Sequence, residues 1–184
     1  ATLGNNTSLF ISTRELLSDE PHLVIQQVNL TDGNANNILE AGESASMSIQ
    51  LRNSGLTGAT SVNAVLSSTD PYVTINNANS AFNNIPSEGS ATSLSNYTFT
   101  VSNTCPNEHQ IVFTLTVTGS GNTWIYNFVQ TVKTPVLSIG NLAIDDISGD
   151  NDNSLDPGET ATIPIPISNS GEVASLAGTA TLQT

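Results

Sequence analysis

The sequence Leu39-Glu-Ala-Gly-Glu-Ser-Ala-Ser-Met-Ser-Ile-Gln-Leu-Arg-Asn-Ser-Gly55 is the most informative stretch of this chain, because it occurs there twice. The second copy reads Leu155-Asp-Pro-Gly-Glu-Thr-Ala-Thr-Ile-Pro-Ile-Pro-Ile-Ser-Asn-Ser-Gly171, and eight of the seventeen positions are identical. Apolar and polar residues alternate through the first copy with the two-residue period of a half-buried strand. The repeat distance is about one domain length, which indicates tandem domains and excludes a solenoid.

Strand patterns continue on both sides of the repeat, and no helical pattern of useful length appears between the two copies. The predicted strands cover residues 22–30, 44–52, 60–67, 72–75, an edge segment near Ala81, 93–101, 110–118 and 123–134. Clusters of Gly, Asn, Pro and Ser separate them at the spacing of a sandwich. We therefore predict an all-β fold, an immunoglobulin-like β-sandwich followed by the first strands of a second tandem copy.

The alternation also predicts which side chains enter the core. They are Ala45, Met47, Ile49 and Leu51 in strand 44–52, and Val62, Ala64 and Leu66 in strand 60–67. A hairpin with aromatic cross-strand pairs is predicted around Gly119-Ser-Gly-Asn122, with Ile111, Phe113, Leu115 and Val117 facing Trp124, Tyr126 and Phe128. Trp124 is interpreted as core or edge packing, and a sugar-stacking platform is the alternative.

These patterns divide the chain into three parts. Residues 1–20 are predicted to be a linker or the tail of a preceding domain, with a possible short helix at 13–18. Residues 21–134 form the first sandwich, and residues 135–184 begin a second one. About three strands cannot close a sandwich core, so we expect the natural protein to continue beyond this sequence.

The charge balance limits the partners of this chain. Only Arg14, Arg52 and Lys133 are basic, against 16 Asp and Glu, for a formal net charge of -13. Such a surface repels phosphate groups, which argues against nucleic acid, and no apolar stretch is long enough for membrane insertion. Divalent cations are favoured partners instead.

An acidic loop between the first two long strands has the oxygen spacing of a calcium loop. The side-chain oxygens of positions 1, 3, 5, 9 and 12 in a twelve-residue frame belong to Asp32, Asn34, Asn36, Glu40 and Glu43. Calcium takes six to eight hard oxygens, and this frame is that of an EF-hand loop without its helices. The alternative is an ordinary Asn- and Gly-rich turn that starts the next strand.

The second repeat carries a related loop. Its predicted ligands are Asp150, Asp152, Asp156 and Glu159, with Ser148 at the first position. More carboxylates predict tighter binding there, provided that the domain is intact. Both loops depart from the EF-hand frame at position 6, where Asn37 and Asn153 replace the usual Gly.

Pro-Gly-Glu before a strand that ends in Asn-x-Gly resembles the immunoglobulin-like accessory modules of secreted Bacteroidetes proteins, including those that follow gingipain-like cysteine peptidase domains. The resemblance covers roughly residues 21–184. It implies a secreted or cell-surface location, with neighbouring domains of the same parent chain as partners. A cell-surface protein or glycan is a further possible partner, and the implied role is that of a spacer, a stabilising domain or an adhesive domain.

The sequence predicts no catalytic residues. Cys105 is the single cysteine, and it lacks a recognisable base and orienting group, while His22 and His109 belong to no catalytic motif. The predicted function is a non-catalytic accessory module stabilised by Ca2+, whose parent could be a peptidase. A carbohydrate-binding module is the alternative.

Overall fold

Strands make up all the regular structure in the part of the chain that the computed structural model describes, residues 19–145, 149, 152 and 154–183. The strands are β1 (Leu23–Thr31), β2 (Ser44–Asn53), β3 (Asn63–Ser67), β4 (Val73–Asn77), β5 (Asn79–Ala81), β6 (Ser90–Thr92), β7 (Tyr97–Val101), β8 (His109–Gly119), β9 (Asn122–Val132), β10 (Leu137–Ile139) and β11 (Ile167–Asn169). These residues contain no helix that could cross a membrane. The all-β prediction is confirmed, whereas the possible helix at 13–18 lies outside the described residues.

Two antiparallel sheets form the first repeat. One has the strand order β1-β2-β7-β4, with β6 also paired to β2, and the other has the order β5-β3-β8-β9. The strands β1, β2, β7 and β4 correspond to A, B, E and D of an immunoglobulin domain, and β3, β8 and β9 correspond to C, F and G. The predicted sandwich is therefore confirmed in both its class and its strand arrangement.

The core lies between the inner faces of the two sheets. Every residue predicted to point inward from β2, from β8 and from the strand around β3 is buried. Phe113 of β8 lies at the centre, with its ring centroid 5.1 Å from that of Phe99 and 5.6 Å from that of Phe128. Alternation predicts this core because each strand has one face against the opposite sheet and one face toward solvent.

Several strand boundaries differ from the prediction by one or two residues, and two strand starts differ by three or more because the backbone makes other hydrogen bonds there. The strand predicted at 60–67 starts only at Asn63, since the amide and the carbonyl of Thr60 both bond to Ser120. The strand predicted at 93–101 starts at Tyr97. Its first residues cross between the sheets, where Ser93 donates to Ile49 O and Leu94 donates to Ala81 O.

A buried amide side chain joins β1 to the turn after β2. Asn53 Oδ1 accepts hydrogen bonds from the amides of His22 and Gly55, both at 3.0 Å. Its Nδ2 donates to Thr57 O at 2.8 Å and to Ile85 O at 3.2 Å. A fully buried amide is tolerated only when its polar atoms have partners, and here both atoms have two.

Glycine is required beside this amide because two backbone segments touch there. A Cβ on Gly55 would lie 2.1 Å from Glu20 O and 2.6 Å from His22 N. The Asn-x-Gly signature at the end of the repeat is therefore a packing requirement.

The second repeat has the same bonds. Asn169 Oδ1 accepts from the amides of Val136 and Gly171 at 3.0 Å, and Nδ2 donates to Val173 O at 2.8 Å. Leu137 pairs with Asn169 as Leu23 pairs with Asn53. The environments differ, since the side chain of Leu137 is 54% exposed and that of Leu23 is fully buried. The division of the chain at residues 134 and 135 stays a prediction that fits this correspondence.

We predict that Gly55→Ala destabilises the protein by more than about 2 kcal/mol, because the new methyl group would overlap the backbone of Glu20 and His22. Gly58→Ala is the matched control in the same loop, where a Cβ would make only ordinary contacts at 3.7 Å. Chemical denaturation of both variants measures the difference. Equal stabilities would contradict the close approach described here.

Candidate functional site

The loop between β1 and β2 brings three of the predicted ligands together. Asn34 Nδ2 donates to Glu40 Oε1 at 3.1 Å, and Asn36 Nδ2 donates to the same oxygen at 2.7 Å. The Oδ1 atoms of the two Asn side chains accept from the amides of Asn36 and Ile38, respectively. Two side-chain amides thus direct the positive ends of their dipoles at one carboxylate oxygen. A bound cation would supply positive charge at the same place.

Asp32 has an unsatisfied oxygen in the same loop. Its side chain is buried, with 6% of the residue exposed, and Oδ2 accepts from the amide of Ile38 at 2.9 Å. Oδ1 has no hydrogen-bond partner, and among the described residues it is the one buried side-chain polar atom in that state. Burying a carboxylate oxygen without a partner is costly, so this oxygen requires an explanation.

Glu43 holds the loop together from within. Its Oε1 accepts from the amides of Gly33 at 2.8 Å and Asn34 at 3.1 Å, and its Oε2 accepts from the amide of Glu40 at 3.1 Å. These bonds leave little capacity on Oε1 for a metal, while Oε2 keeps one lone pair. The sequence suggested Glu43 as the closing ligand, and the structure shows it as the anchor of the loop.

Two residues of the loop other than glycine adopt left-handed backbone conformations. Asn37 has a φ of 64° and Ala35 has a φ of 60°. Asn37 thus takes a left-handed conformation at the position where the EF-hand frame has Gly, and Asn is among the side chains that tolerate it. Ala35 has no such tolerance, so the loop holds strain at this residue.

The second loop has a similar anchor. The amide of Asp156 donates to Glu159 Oε2 at 3.0 Å, and the amide of Ser154 donates to Asp152 Oδ1 at 2.7 Å. A Cβ on Gly149 would lie 1.9 Å from Glu159 Oε1, so the carboxylate of Glu159 packs against a glycine, as that of Glu43 does against Gly33. Asp150 and Ser148 lie outside the described residues.

Within the described ranges, no three His, Cys, Asp or Glu side chains form a metal-binding group by themselves. A metal site in either loop therefore needs amide oxygens as well.

Lys133 connects the first loop to Glu172 in the second repeat. Its amide donates to Leu39 O at 2.8 Å and its carbonyl accepts from the amide of Ala41 at 3.3 Å. Its Nζ lies 2.7 Å from Glu108 Oε1 and 2.9 Å from Glu172 Oε2, and these two hydrogen bonds raise the pKa of the Lys133 ammonium group. Sequence reasoning missed this residue, although a single Lys in so acidic a chain was a usable signal.

The single cysteine and the two histidines are buried or hydrogen-bonded to neighbouring side chains. Cys105 is buried, and this burial, together with the nearby negative charge of Asp70, raises the pKa of the thiol. A nucleophilic cysteine needs a lowered pKa. His109 Nε2 bonds to Asp70 Oδ2 at 2.8 Å. His22 Nδ1 lies 2.8 Å from the Ser54 hydroxyl oxygen, but that hydroxyl also bonds to the His22 carbonyl on the exposed surface.

Trp124 lies on the inner face of β9. It is half-buried, pairs across the strands with Val117 and packs against the core. This placement agrees with its interpretation as core or edge packing, and it weighs against a flat, exposed platform for a sugar ring.

No protein family and no curated protein sequence matches the chain. Among solved structures, the chain is similar to a variant of BcpA, the major pilin subunit of Bacillus cereus, at 9% sequence identity and a TM-score of 0.35. The match covers 84% of this chain and 56% of the pilin chain, so the alignment spans little more than half of that protein.

We predict that Ala35→Gly stabilises the protein by about 1 kcal/mol, because glycine adopts a φ of 60° without the steric penalty of a Cβ. Ala81→Gly, in strand β5, is the control and should lower stability by about 0.5–1 kcal/mol. Unfolding by urea measures both. A loss of stability in Ala35→Gly would contradict the strained conformation.

We also predict that Cys105 in the folded protein reacts with a thiol reagent at pH 8 at least about tenfold more slowly than in the unfolded chain, since burial both shields the sulfur and disfavours the thiolate. The measurement is the rate of release of a coloured leaving group, with and without denaturant. Equal rates would show that the thiol is accessible.

Proposed function

We propose that this chain is a non-catalytic extracellular spacer module in which the loop 32–43 binds calcium and stabilises the junction with the following domain. The observation that carries the proposal is the buried Asp32 Oδ1, which has no hydrogen-bond partner. The other oxygen of this carboxylate accepts from the Ile38 amide, as Asn36 Oδ1 also does. A bound cation satisfies this oxygen, whereas a plain turn gives no reason to bury it.

The donors in the loop suit calcium. Asp32 Oδ1 is available, the Oδ1 atoms of Asn34 and Asn36 each keep a second lone pair, and Glu40 offers its carboxylate. Calcium accepts mixtures of carboxylate, amide, carbonyl and water oxygens, with six to eight in total. Two carboxylates and two amides imply a weak site, with a dissociation constant on the order of 0.1–1 mM as in other extracellular modules.

The junction gives this ion a structural role. The loop residues Leu39 and Ala41 hydrogen-bond to the backbone of Lys133, and the Lys133 side chain reaches Glu172 in the second repeat. Ordering the loop therefore orders the residue that ends the first sandwich. A secreted parent protein with such a module holds its domains at a fixed distance, in line with the resemblance to accessory modules of secreted Bacteroidetes proteins, where the parent is a peptidase in some cases.

We predict that excess calcium raises the melting temperature of the full chain relative to chelator, and that Asp32→Asn removes this rise. At a calcium concentration 100 times the dissociation constant, mass action gives about 2.7 kcal/mol. In chelator, Asp32→Asn should match or exceed the wild type in stability, because it removes a buried charge that lacks a partner on one oxygen. Calorimetry in both conditions measures the four values.

Glu88→Gln is the matched control, since it also removes one negative charge but lies beside Arg52, away from the loop. It should keep the full calcium effect. Glu43→Ala is less informative, because losing the anchor disrupts the loop with or without an ion. A wild type without any calcium effect would leave the loop as an ordinary turn that starts β2, and an unchanged effect in Asp32→Asn would place the ion elsewhere.

The junction role has its own measurement. Calcium should slow hydrogen exchange at the amides of Ala41 and Lys133, which bond across the loop and the end of β9. The amide of Leu94, bonded to Ala81 O away from this loop, is the control and should change less. Slower exchange at Ala41 alone would mean that the ion stabilises the loop without reaching the junction.

A further inference from the structure

The edge of β9 differs from the other sheet edges of the first repeat. The edge strand β1 contains a register shift between Ile25 and Gln27, β4 contains one between Ile75 and Asn77, and β5 and β6 have three residues each. Bulges and short length are known ways of protecting an edge from pairing with another strand. β9 has eleven residues in unbroken register with β8, and it contains neither Pro nor a charged residue.

The backbone groups on this edge can be identified from the hairpin. Ser120 and Gly121 form a two-residue turn with φ values of 49° and 82°, so Gly119 and Asn122 are its closing hydrogen-bonded pair. Alternate residues of β9 then bond to β8, and those between them direct N–H and C=O outward. Lys133 belongs to the outward set, because its amide and carbonyl bond to the loop at Leu39 and Ala41.

The outward set within β9 reads almost the same in both directions. It consists of Thr123, Ile125, Asn127, Val129 and Thr131, and Asn127 is at its centre. An antiparallel contact about a two-fold axis pairs each residue with its mirror position in the partner. Centred on Asn127, such a contact places Ile125 opposite Val129 and Thr123 opposite Thr131, so apolar meets apolar and hydroxyl meets hydroxyl.

Charge also favours a second copy at this place. Two chains that each carry a net charge of -13 repel one another, and they approach at least cost where carboxylates are fewest. β9 itself carries none, and the Glu20 carboxylate reaches only its first residue, Asn122. The outer face beside the edge also carries no charge, with Val65, Val112, Thr114 and Thr116 on the neighbouring strands. The inward aromatics Trp124, Tyr126 and Phe128 are half-buried at the same edge and would gain cover from an added strand.

We propose that the edge of β9, which no other described strand covers, binds the β9 edge of a second copy of this chain, antiparallel and centred on Asn127, so that two four-stranded sheets become continuous. Each outward residue then donates and accepts one backbone hydrogen bond. The loop at Leu39 and Ala41 ends the paired segment at Lys133, since it already occupies that part of the edge. This inference does not depend on calcium binding.

The first test is the oligomeric state of the full chain by sedimentation over about 1 µM to 1 mM, the range of dissociation constants for weak contacts. We expect dimers whose proportion rises with salt, because salt screens the repulsion between the acidic chains. Ile125→Lys should return the protein to a monomer. Val65→Lys is the control, since it adds the same charge on the same face, at 44% exposure against 65%, but on the internal strand β3.

A cross-linking test checks the register. Asn127→Cys should form a disulfide-linked dimer under mild oxidation, because residue 127 faces itself across the axis at a separation that a disulfide can span. Thr123→Cys should not, because its mirror position is Thr131. The native Cys105 is buried and does not interfere.

Three results would overturn the proposal. The chain remains a monomer throughout the concentration range, or both cysteine variants cross-link equally, or Ile125→Lys leaves the dimer intact. In the last case the association would arise elsewhere, for example at the exposed apolar residues Leu137, Ile139 and Ile167 of the second repeat.

Discussion

The buried Asn53 side chain is the constraint on which the first sandwich depends. Its amide side chain joins the residue before β1, the turn after β2 and the segment at Ile85, and it adds to the backbone hydrogen bonds that run between these parts of the chain. A hydrophobic residue of the same size would leave the amides of His22 and Gly55 without partners, at a cost that one buried contact does not recover. Asn169 accepts the equivalent hydrogen bonds in the second repeat, so both repeats contain this constraint.

Much of the fold follows from local pattern. The alternation in β2 and β8 predicts the buried rows correctly, because a strand between core and solvent allows only one register of apolar residues. The hairpin at Ser120 and Gly121 follows for a similar reason, since its turn chemistry is local. The crossing at Ser93 and Leu94 could not be predicted, because it depends on carbonyls of Ile49 and Ala81 that are distant in sequence.

In the candidate site, too, some features follow from local sequence pattern and others depend on residues that are distant in sequence. The positions of Asn34, Asn36 and Glu40 follow from spacing along one turning loop, and the structure brings their side chains together. The use of Glu43 as an internal anchor does not follow from spacing, because a carboxylate that binds amides and one that binds a metal have the same sequence pattern. The contact between the loop and Lys133 does not follow from spacing either. Lys133 lies about ninety residues farther along the chain, and it meets the loop only when both sheets have formed.

The parallel bridge between Glu40 and Lys133 gives the loop a role under mechanical load. A pulling force applied to the two ends of the first repeat enters at the start of β1 and leaves at Lys133. The hydrogen bonds between β1 and β2 run across that direction, so they resist together in shear. The bonds of Lys133 to Leu39 and Ala41 lie next to the point where the force leaves, so they carry load together with the bonds between β1 and β2.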